Sequence, residues 1–300
     1  MLKDRYIDYL RFEKRYSAHT ILAYHTDLGD FTKFLSLQYS LNDPLQADHN
    51  LIRSWLISLI DHKISPRSIN RKLSTLKSFY RYCQKQDLIK NSPMLKVVAP
   101  RTSKQLPVFL THDNLNDLFG KVEFTHDYPG CRDKMIITLF YATGIRRMEL
   151  IQILTSDLDL DKGTLKVLGK RNKERIVPLG ENVTSQLKDY LVLRSEFLTK
   201  NKFAFENNNQ ALFVTLKGLP VYPRLVYTIV HKYLSLIASN NKLSPHVLRH
   251  TFATHMLDDG ADLNAIKEIL GHSSLAATQV YTHNTIEKLK SIYKQAHPRA

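Results

Sequence analysis

Apolar side chains recur at helical spacing through the first hundred residues. Residues 17–35, SAHTILAYHTDLGDFTKFL, place an apolar side chain at every third or fourth position after Ser17, a typical helix N-cap. Ser65 and Pro66 form a second start signal, followed by RSINRKLSTLKSFYRYCQK at residues 67–85. The apolar side chains of this run fall on one side of a helical wheel: Ile69, Leu73, Leu76, Phe79, Tyr80 and Cys83. This part of the chain is therefore predicted to be helical.

A change of pattern marks the end of this helical part. The segment VVAPRTSKQLPVFLTHDNL contains Pro100 and Pro107 around a polar, basic centre, and Thr111 is a suitable N-cap for a new helix. Prolines in polar surroundings are typical of linkers between domains. We predict three parts: a helical N-terminal domain at residues 1–100, a linker at 101–107 and a larger C-terminal domain at 108–300.

Beyond the linker the pattern is mixed. Residues 132–153 predict a helix, a Thr-Gly break and a second helix. Residues 157–179, DLDLDKGTLKVLGKRNKERIVPL, alternate apolar and polar positions around two turns, which predicts a small antiparallel sheet of two or three strands. After about residue 183 the spacing is again mainly helical. The predicted fold is mainly α, with a small antiparallel β-sheet in the C-terminal domain.

Composition narrows the class of partner. The chain has 43 Lys and Arg residues against 28 Asp and Glu, a formal charge of +15, which favours nucleic acid first and an anionic membrane surface second. Its two cysteines, Cys83 and Cys131, match no CxxC pattern, so neither a disulfide framework nor a cysteine zinc site is expected. The sequence shows no signal-peptide pattern and no apolar run near 18 residues, so we expect a cytoplasmic protein without a membrane segment.

The predicted helix at 67–85 carries five cations away from its apolar side, with the third near the edge: Arg67, Arg71, Lys77, Arg81 and Lys85. Residues 63–105 contain eleven Lys and Arg residues but only one acidic residue, Asp87. A solvated surface usually mixes both signs of charge. We therefore predict that these five cations contact nucleic-acid phosphates, the alternative being a solvated basic face.

A histidine and an arginine share one face of a predicted helix near the C-terminus. In SPHVLRHTF, Ser244 and Pro245 indicate a helix start, where backbone N–H groups attract anions. His246 and Arg249 follow at a spacing of three and could both meet a phosphate there. Ordinary surface groups on a capped helix are the alternative. A zinc site built from His246, His250 and His255 is disfavoured, because the HExxH glutamate is missing.

Other candidate groups surround this pair in the sequence. Arg146 opens the helix after the Thr-Gly break, where it needs an anionic partner or Glu149. Lys170 lies at a predicted strand end, and the glycine spacing around it excludes a phosphate loop. His272 and Tyr281 follow near the C-terminus. Two arginines, a lysine, two histidines and a tyrosine suit phosphoryl transfer to a tyrosine nucleophile, whereas surface pairs and half-buried rings are the structural alternatives.

Taken in order, these segments resemble the motifs of the tyrosine site-specific recombinases. The matching segments are ATGIRRMEL, GKRNKERIVPLG, HVLRHTFATHMLDDGADLNAIKEILGH and QVYTH, and the N-terminal helices resemble the core-binding domain of that family. The resemblance covers nearly the whole chain and is closest to the Xer subgroup. It implies two domains that form a C-shaped clamp on DNA.

The resemblance also implies the central chemistry. Tyr281 is expected to be the nucleophile, and Arg146 and Arg249 the clamp on the scissile phosphate. Lys170 is expected to be the general acid toward the leaving 5′ oxygen. DNA strands would then be cut and rejoined through a 3′-phosphotyrosyl link without a metal, ATP or any cofactor.

Supporting roles follow from the same resemblance. His246 is expected to accept or donate a proton, and His272 to donate to a non-bridging oxygen. Glu149 matches the acidic position that supports the first arginine. Arg147 departs from the small or apolar residue expected there, a difference that we interpret as peripheral.

Partners and biological role are also implied by the resemblance. We expect the partners to be double-stranded DNA with inverted half-sites, further subunits in a homo-tetramer or in a hetero-tetramer with a paralogous recombinase, and a septal DNA translocase. The expected role is chromosome dimer resolution at cell division. Integration of a mobile element, a non-catalytic DNA-binding protein and a metal-dependent nuclease are the alternatives. The C-terminal segment, with Ile286, Leu289 and Tyr293 on one helix face, is expected to dock on a neighbouring protomer or, alternatively, on its own domain.

Overall fold

The computed structural model describes residues 2–101, 109–169, 173–203, 210–238 and 243–271, together with Tyr293 and Ala296. The chain divides into two units, Met1–Gln105 and Leu106–Ala300. Both are mainly helical and the second contains a small antiparallel sheet, so the predicted fold class is confirmed. Within the described ranges, no helix combines the length and the hydropathy needed to cross a bilayer.

The first unit consists of helices that begin at capping residues. They are α1 (Leu2–Asp8, continued by a π-helical segment at Tyr9–Glu13), α2 (Ala18–Tyr39), α3 (His49–Asp61) and α4 (Pro66–Lys85). The hydroxyls of Ser17 and Ser65 accept hydrogen bonds from the backbone N–H groups of Thr20 and Ser68. These bonds satisfy donors that a helix start leaves unpaired, and both helix starts predicted from the sequence are confirmed.

The apolar side of α4 forms the centre of the first unit. All six apolar side chains predicted on it are buried, and Phe79 packs against Tyr6 with ring centroids 5.3 Å apart. Phe31 of α2 meets Trp55 of α3 at 4.9 Å. Because each such burial stabilises the fold by about 1.5–3 kcal/mol, this packing determines which side of α4 faces solvent.

The second unit consists of helices and a small antiparallel sheet. The helices are α5 (His112–Gly120), α6 (Tyr128–Thr143), α7 (Arg147–Gln152), α8 (Glu181–Lys200), α9 (Pro223–Leu234), α10 (Pro245–Asp258) and α11 (Leu263–Leu270). The strands are β1 (Leu158–Asp159), β2 (Thr164–Leu168) and β3 (Glu174–Pro178), antiparallel in the order β1-β2-β3. In this register Val167 of β2 lies opposite Arg175 of β3.

Helix α6 ends where three helices of the second unit meet. Every residue from 135 to 143 is buried, and the helix stops at Gly144, whose φ of +59° is left-handed. A Cβ at this glycine would lie 2.6 Å from side-chain carbons of both Phe252 and Leu270. The break predicted after Thr143 is therefore confirmed, and it brings α10 and α11 against the end of α6.

Two residues of the C-terminal segment are described, and both are core residues of the second unit. Tyr293 and Ala296 are 2% and 3% exposed and belong to the same apolar cluster as α6 and α10. Their burial agrees with the alternative in which this segment packs on its own domain. Ile286 and Leu289 lie outside the described residues.

Candidate active site

Three arginines from different elements converge on the C-terminal end of α11. They donate to consecutive backbone carbonyls: Arg175 Nε to Ile269 (2.7 Å), Arg249 Nη2 to Leu270 (2.8 Å) and Arg146 Nη2 to Gly271 (3.2 Å). Carbonyls at a helix C-terminus lack partners within the helix and carry the negative end of its dipole. This helix end therefore holds together three cations that would otherwise repel one another.

Arg249 is fixed on α10 by backbone oxygens on two sides. It is 9% exposed, and its Nη1 donates to the carbonyl of Gly144 at 2.6 Å while Nη2 binds α11. Burial, together with the charge of Arg146, lowers the pKa of Arg249 to about 10, so it remains a cation at neutral pH. A guanidinium fixed by protein carbonyls is preorganised to bind an anion.

Arg146 is the N-cap residue of α7, and Glu149 fixes it there. Glu149 Oε1 accepts a hydrogen bond from Arg146 Nη1 at 2.7 Å, and Oε2 accepts one from the Arg146 backbone N–H at 2.9 Å. Burial by itself would raise the pKa of Glu149, but hydrogen bonds and charge from Arg175 and Arg146 outweigh burial and keep this pKa below its usual value. Glu149 is therefore an anion that holds two arginines.

Arg175 is a residue of this cluster that the sequence analysis does not identify. It is 5% exposed, and its Nη1 and Nη2 donate to the two carboxylate oxygens of Glu149 at 3.1 and 2.8 Å. A signal was available in the strand pattern, because Arg175 and the core residue Val177 are two positions apart and face the same side of β3. An arginine at a core-facing strand position requires buried acceptors, of which an acid is one kind.

His246 lies on the first turn of α10, three residues before Arg249. Ser244 is the N-cap residue as predicted, but its hydroxyl makes no capping hydrogen bond to the described backbone. Burial of part of the ring, followed by the charge of nearby Arg147, lowers the pKa of His246 below its ordinary value. The imidazole is therefore neutral at neutral pH and can accept a proton.

The three histidines of α10 do not all lie on the exposed side of the helix. His246 and His250 are exposed, whereas His255 is 2% exposed. The ring of His255 stacks on His112 with centroids 3.8 Å apart, and its Nδ1 lies 3.1 Å from the hydroxyl of Tyr141. Among the described side chains, no group of three His, Cys, Asp or Glu residues could hold a metal ion. His255 is a core residue.

Three predicted catalytic residues lie outside the described residues: Lys170, His272 and Tyr281. The residues that precede the first two in the chain, Gly169 and Gly271, are described, and both lie beside Arg175. A Cβ at these glycines would lie 3.4 and 3.1 Å, respectively, from Arg175 Nη1. The backbone that leads to Lys170 and the backbone that leads to His272 therefore meet at the arginine cluster.

All five cations predicted to contact nucleic acid are exposed on α4: Arg67, Arg71, Lys77, Arg81 and Lys85. Their surface is less uniform in charge than the sequence suggests, because acidic partners come from other helices. Arg71 forms an ion pair with Asp27 of α2, and Lys85 Nζ lies 3.9 Å from Glu13 Oε2. Arg71 therefore also has a structural partner, which a count of charges along α4 cannot show.

Asp27 is a buried carboxylate that ties α2 to α4. It is 1% exposed and accepts hydrogen bonds from Arg71, from Lys72 Nζ at 3.2 Å and from Thr75 Oγ1 at 3.0 Å. Lys72 Nζ also donates to Asp30 Oδ2 at 2.6 Å. Lys72, one of the eleven cations counted in residues 63–105, is thus a core residue of the first unit and is not part of its basic surface.

Comparison with known proteins places this geometry in a family. Residues 108–288 match the model of the Phage integrase family, and residues 4–87 match the model of the Phage integrase, N-terminal SAM-like domain. Tyrosine recombinase XerC of Chlorobaculum parvum is 37% identical, over 99% of this chain and 94% of the relative. Tyrosine recombinase XerC of Listeria innocua is also 37% identical, over 100% and 98%. A structure of XerH site-specific recombinase bound to palindromic difH substrate has a similar fold, with a TM-score of 0.70 at 24% identity over 90% of this chain and 78% of that one.

Both units and nearly the whole sequence are thus accounted for by one class of protein. The chain belongs to the phage integrase family of tyrosine recombinases, enzymes that cleave and religate DNA. The two relatives named above, matched over 94% and 98% of their own length, are tyrosine recombinases XerC, which confirms the resemblance to the Xer subgroup.

Proposed function

We propose that this protein is a site-specific recombinase that cuts a DNA strand with the hydroxyl of Tyr281 and holds the cleaved end as a 3′-phosphotyrosyl link. The proposal rests on the convergence of Arg146 and Arg249 on the C-terminal end of α11. Arg249 lies on α10, three residues after His246. Cations fixed in advance by carbonyls stabilise the charge of a pentacovalent phosphate without reorganisation during the reaction.

The proposed cleavage step balances in protons and bonds. Tyr281 Oη attacks the phosphorus while neutral His246 accepts the phenolic proton, and the bond to the 5′ oxygen breaks as Lys170 supplies a proton to that oxygen. One phosphodiester replaces another, so the 5′-hydroxyl of a partner strand can reverse the step and rejoin the DNA without ATP.

Arg146 and Arg249 are proposed to bind the non-bridging oxygens of the scissile phosphate, with His272 as a further donor. The charge of Arg146 already contributes to the lowered pKa of Arg249, so the two guanidinium groups repel each other in the unliganded site. A phosphate between them relieves this repulsion. Because the clamp supplies the positive charge, the step is proposed to proceed without a metal ion.

The finer assignments are part of the same proposal. Both units bind double-stranded DNA with inverted half-sites, and the five exposed cations of α4 contact its backbone. The protein acts in the cytoplasm as a homo-tetramer or as a hetero-tetramer with a paralogous recombinase. Its role is chromosome dimer resolution at cell division, with a septal DNA translocase as a further partner. Full-length similarity to proteins named XerC supports this role. A lambda integrase tetramer bound to a Holliday junction shares the fold, with a TM-score of 0.68 at 18% identity.

Covalent trapping tests the proposed function. The protein is incubated with a pool of nicked duplexes that carry randomised inverted half-sites, in the presence of a chelator, and is then denatured and examined for a protein–DNA adduct. We expect an adduct with the wild-type protein and none with Tyr281→Phe. Equal adducts from both proteins, or none from a wild-type protein that binds the DNA, would rule the proposal out. Dependence of strand cutting on a divalent metal would instead favour the nuclease alternative.

A further inference from the structure

The buried guanidinium of Arg175 controls the carboxylate that holds Arg146. Both oxygens of Glu149 accept hydrogen bonds from Arg175, and the same two oxygens accept the side-chain and backbone donors of Arg146. Glu149 is 4% exposed, so water does not compete strongly for these oxygens. The orientation of Arg146 therefore depends on Arg175 through a shared carboxylate.

Arg175 also binds the end of α11. Its Nε donates to the carbonyl of Ile269 at 2.7 Å, one residue before the carbonyl that receives Arg249. Its guanidinium carbon and Nη1 lie 3.3 and 3.1 Å from the position of a Cβ on Gly271, so a side chain at that position would press on it. Gly271 has a φ of +64° and is the last residue before His272.

The β2–β3 hairpin meets the same guanidinium. Gly169, the residue before Lys170, donates its N–H to the carbonyl of Lys173 at 2.8 Å. A Cβ at Gly169 would lie 3.4 Å from Arg175 Nη1 and 3.7 Å from Glu149 Oε1. Gly169, from which the chain continues to Lys170, thus lies beside the Arg175–Glu149 pair.

We propose that Arg175 is a positioning residue for strand cleavage, which fixes the relative positions of the clamp arginine Arg146, the backbone leading to Lys170 and the backbone leading to His272. This inference rests on the proposed function, because it takes Arg146, Lys170 and His272 as catalytic groups. A buried ion pair is often no more stabilising than apolar side chains of the same volume, so stability alone does not account for Arg175. A misplacement of about 1 Å in a reacting group can slow a reaction by on the order of 100-fold.

The test separates positioning from folding by means of a matched control. Arg194 is another buried arginine of the second unit, 7% exposed, which donates to the carbonyls of Leu212 and Ala211 far along the chain from the catalytic positions. Three variants are compared with the wild type: Arg175→Gln, Arg175→Lys and Arg194→Gln. The measurements are thermal unfolding, affinity for a duplex recovered from the covalent adduct, and the single-turnover rate of adduct formation at saturating protein.

We expect Arg175→Gln to lower the cleavage rate on the order of 100-fold while the dissociation constant for DNA changes by less than about threefold. Arg175→Lys should recover part of the rate, because an ammonium can bind Glu149 but cannot also reach Ile269 in the fork geometry of a guanidinium. Arg194→Gln, measured at a temperature where it is folded, should cleave at the wild-type rate.

Several results would overturn the inference. They are a folded Arg175→Gln protein that cleaves within about threefold of wild type, a loss confined to DNA affinity, or an equal loss of rate in Arg194→Gln. Failure of both Arg175 variants to fold would also overturn it, since Arg175 would then be required by the fold and not by the site. A wild-type protein that forms no adduct at all would overturn the proposed function first, so the two failures are distinguishable.

Discussion

Arg146 and Arg249 donate hydrogen bonds to adjacent backbone carbonyls, those of Gly271 and Leu270, at 3.2 and 2.8 Å. The two guanidinium groups come from different helices yet share one anchor, the C-terminal end of α11. Their mutual repulsion is offset by carbonyls and by Glu149, so the positive site exists before any phosphate arrives. Such preorganisation is the principal way in which a protein stabilises charge that develops during a reaction.

Replacing Arg249 by lysine should slow cleavage without abolishing DNA binding. An ammonium keeps the charge but cannot bind Gly144, Leu270 and a phosphate together, so we expect a loss of about 10²- to 10³-fold in the single-turnover rate. The five exposed cations of α4 are proposed to supply further phosphate contacts, so affinity in a gel-shift assay should change little. Arg224→Lys, at an exposed position of α9, is the matched control. An Arg249→Lys rate within about tenfold of wild type would contradict the clamp.

Cleavage should fall on the acid side through protonation of His246. Its pKa lies below the ordinary value of about 6.5, so the ring is neutral at neutral pH, and the proton acceptor is lost only as pH falls through this lowered pKa. After burial, Arg147 is the largest contributor to that lowering. Arg147→Ala should therefore raise the pKa and move the acid limb of the rate–pH profile to higher pH. An acid limb that stays in place or moves to lower pH would count against this assignment.

Removing Asp27 should destabilise the first unit. Asp27→Ala leaves Lys72 buried with one acidic partner, removes the acidic partner of Arg71 and removes the shorter of the two hydrogen bonds of Thr75 Oγ1, which we expect to cost about 3 kcal/mol in free energy of unfolding. Asp30→Ala is the control, because the Asp30 side chain is 48% exposed and its loss should cost about 1 kcal/mol or less. Denaturant unfolding measures both variants. Equal losses would show that burial of Asp27 does not matter.

A methyl group at Gly144 should destabilise the second unit. Its left-handed φ costs an L-residue about 1–2 kcal/mol, and the new Cβ would also press on Phe252 and Leu270. Gly120→Ala is the matched control, since its Cβ would meet no atom within 4 Å in the described structure and should be neutral or stabilise by about 0.4–1 kcal/mol. Thermal unfolding should separate the two variants. A Gly144→Ala protein as stable as wild type would contradict the close approach of the three helices.

The helices could be predicted from the sequence because their signals are local. Ser17, Ser65 and Thr111 each cap a helix through a hydrogen bond to the N–H three residues on, and apolar spacing gives the buried side of α4. The pairing of Lys72 with Asp27 joins positions 45 residues apart, so the charge count along one segment overstated the basic surface. Sequence spacing carries no information about which helix supplies a partner.

Contacts between distant elements also limit what the sequence predicts about the candidate active site. The contact of Arg146 with Glu149 spans three residues and was accessible from helix geometry. The convergence of Arg146 and Arg249 followed only from the family resemblance, because no local pattern joins two helices. Arg175 escaped prediction although it lies in a quoted motif, since its role depends on a carboxylate 26 residues away.

The most direct test of the proposed function identifies the residue that is linked covalently to the DNA. The adduct formed by wild-type protein on a nicked site in chelator is digested with nuclease and protease, and mass spectrometry identifies the peptide that carries the remaining nucleotide phosphate. We expect this peptide to contain Tyr281 and to be modified on the tyrosine oxygen. A nucleotide attached through its phosphate to any other residue, or DNA that is cut with no covalent protein intermediate, would contradict the proposed function.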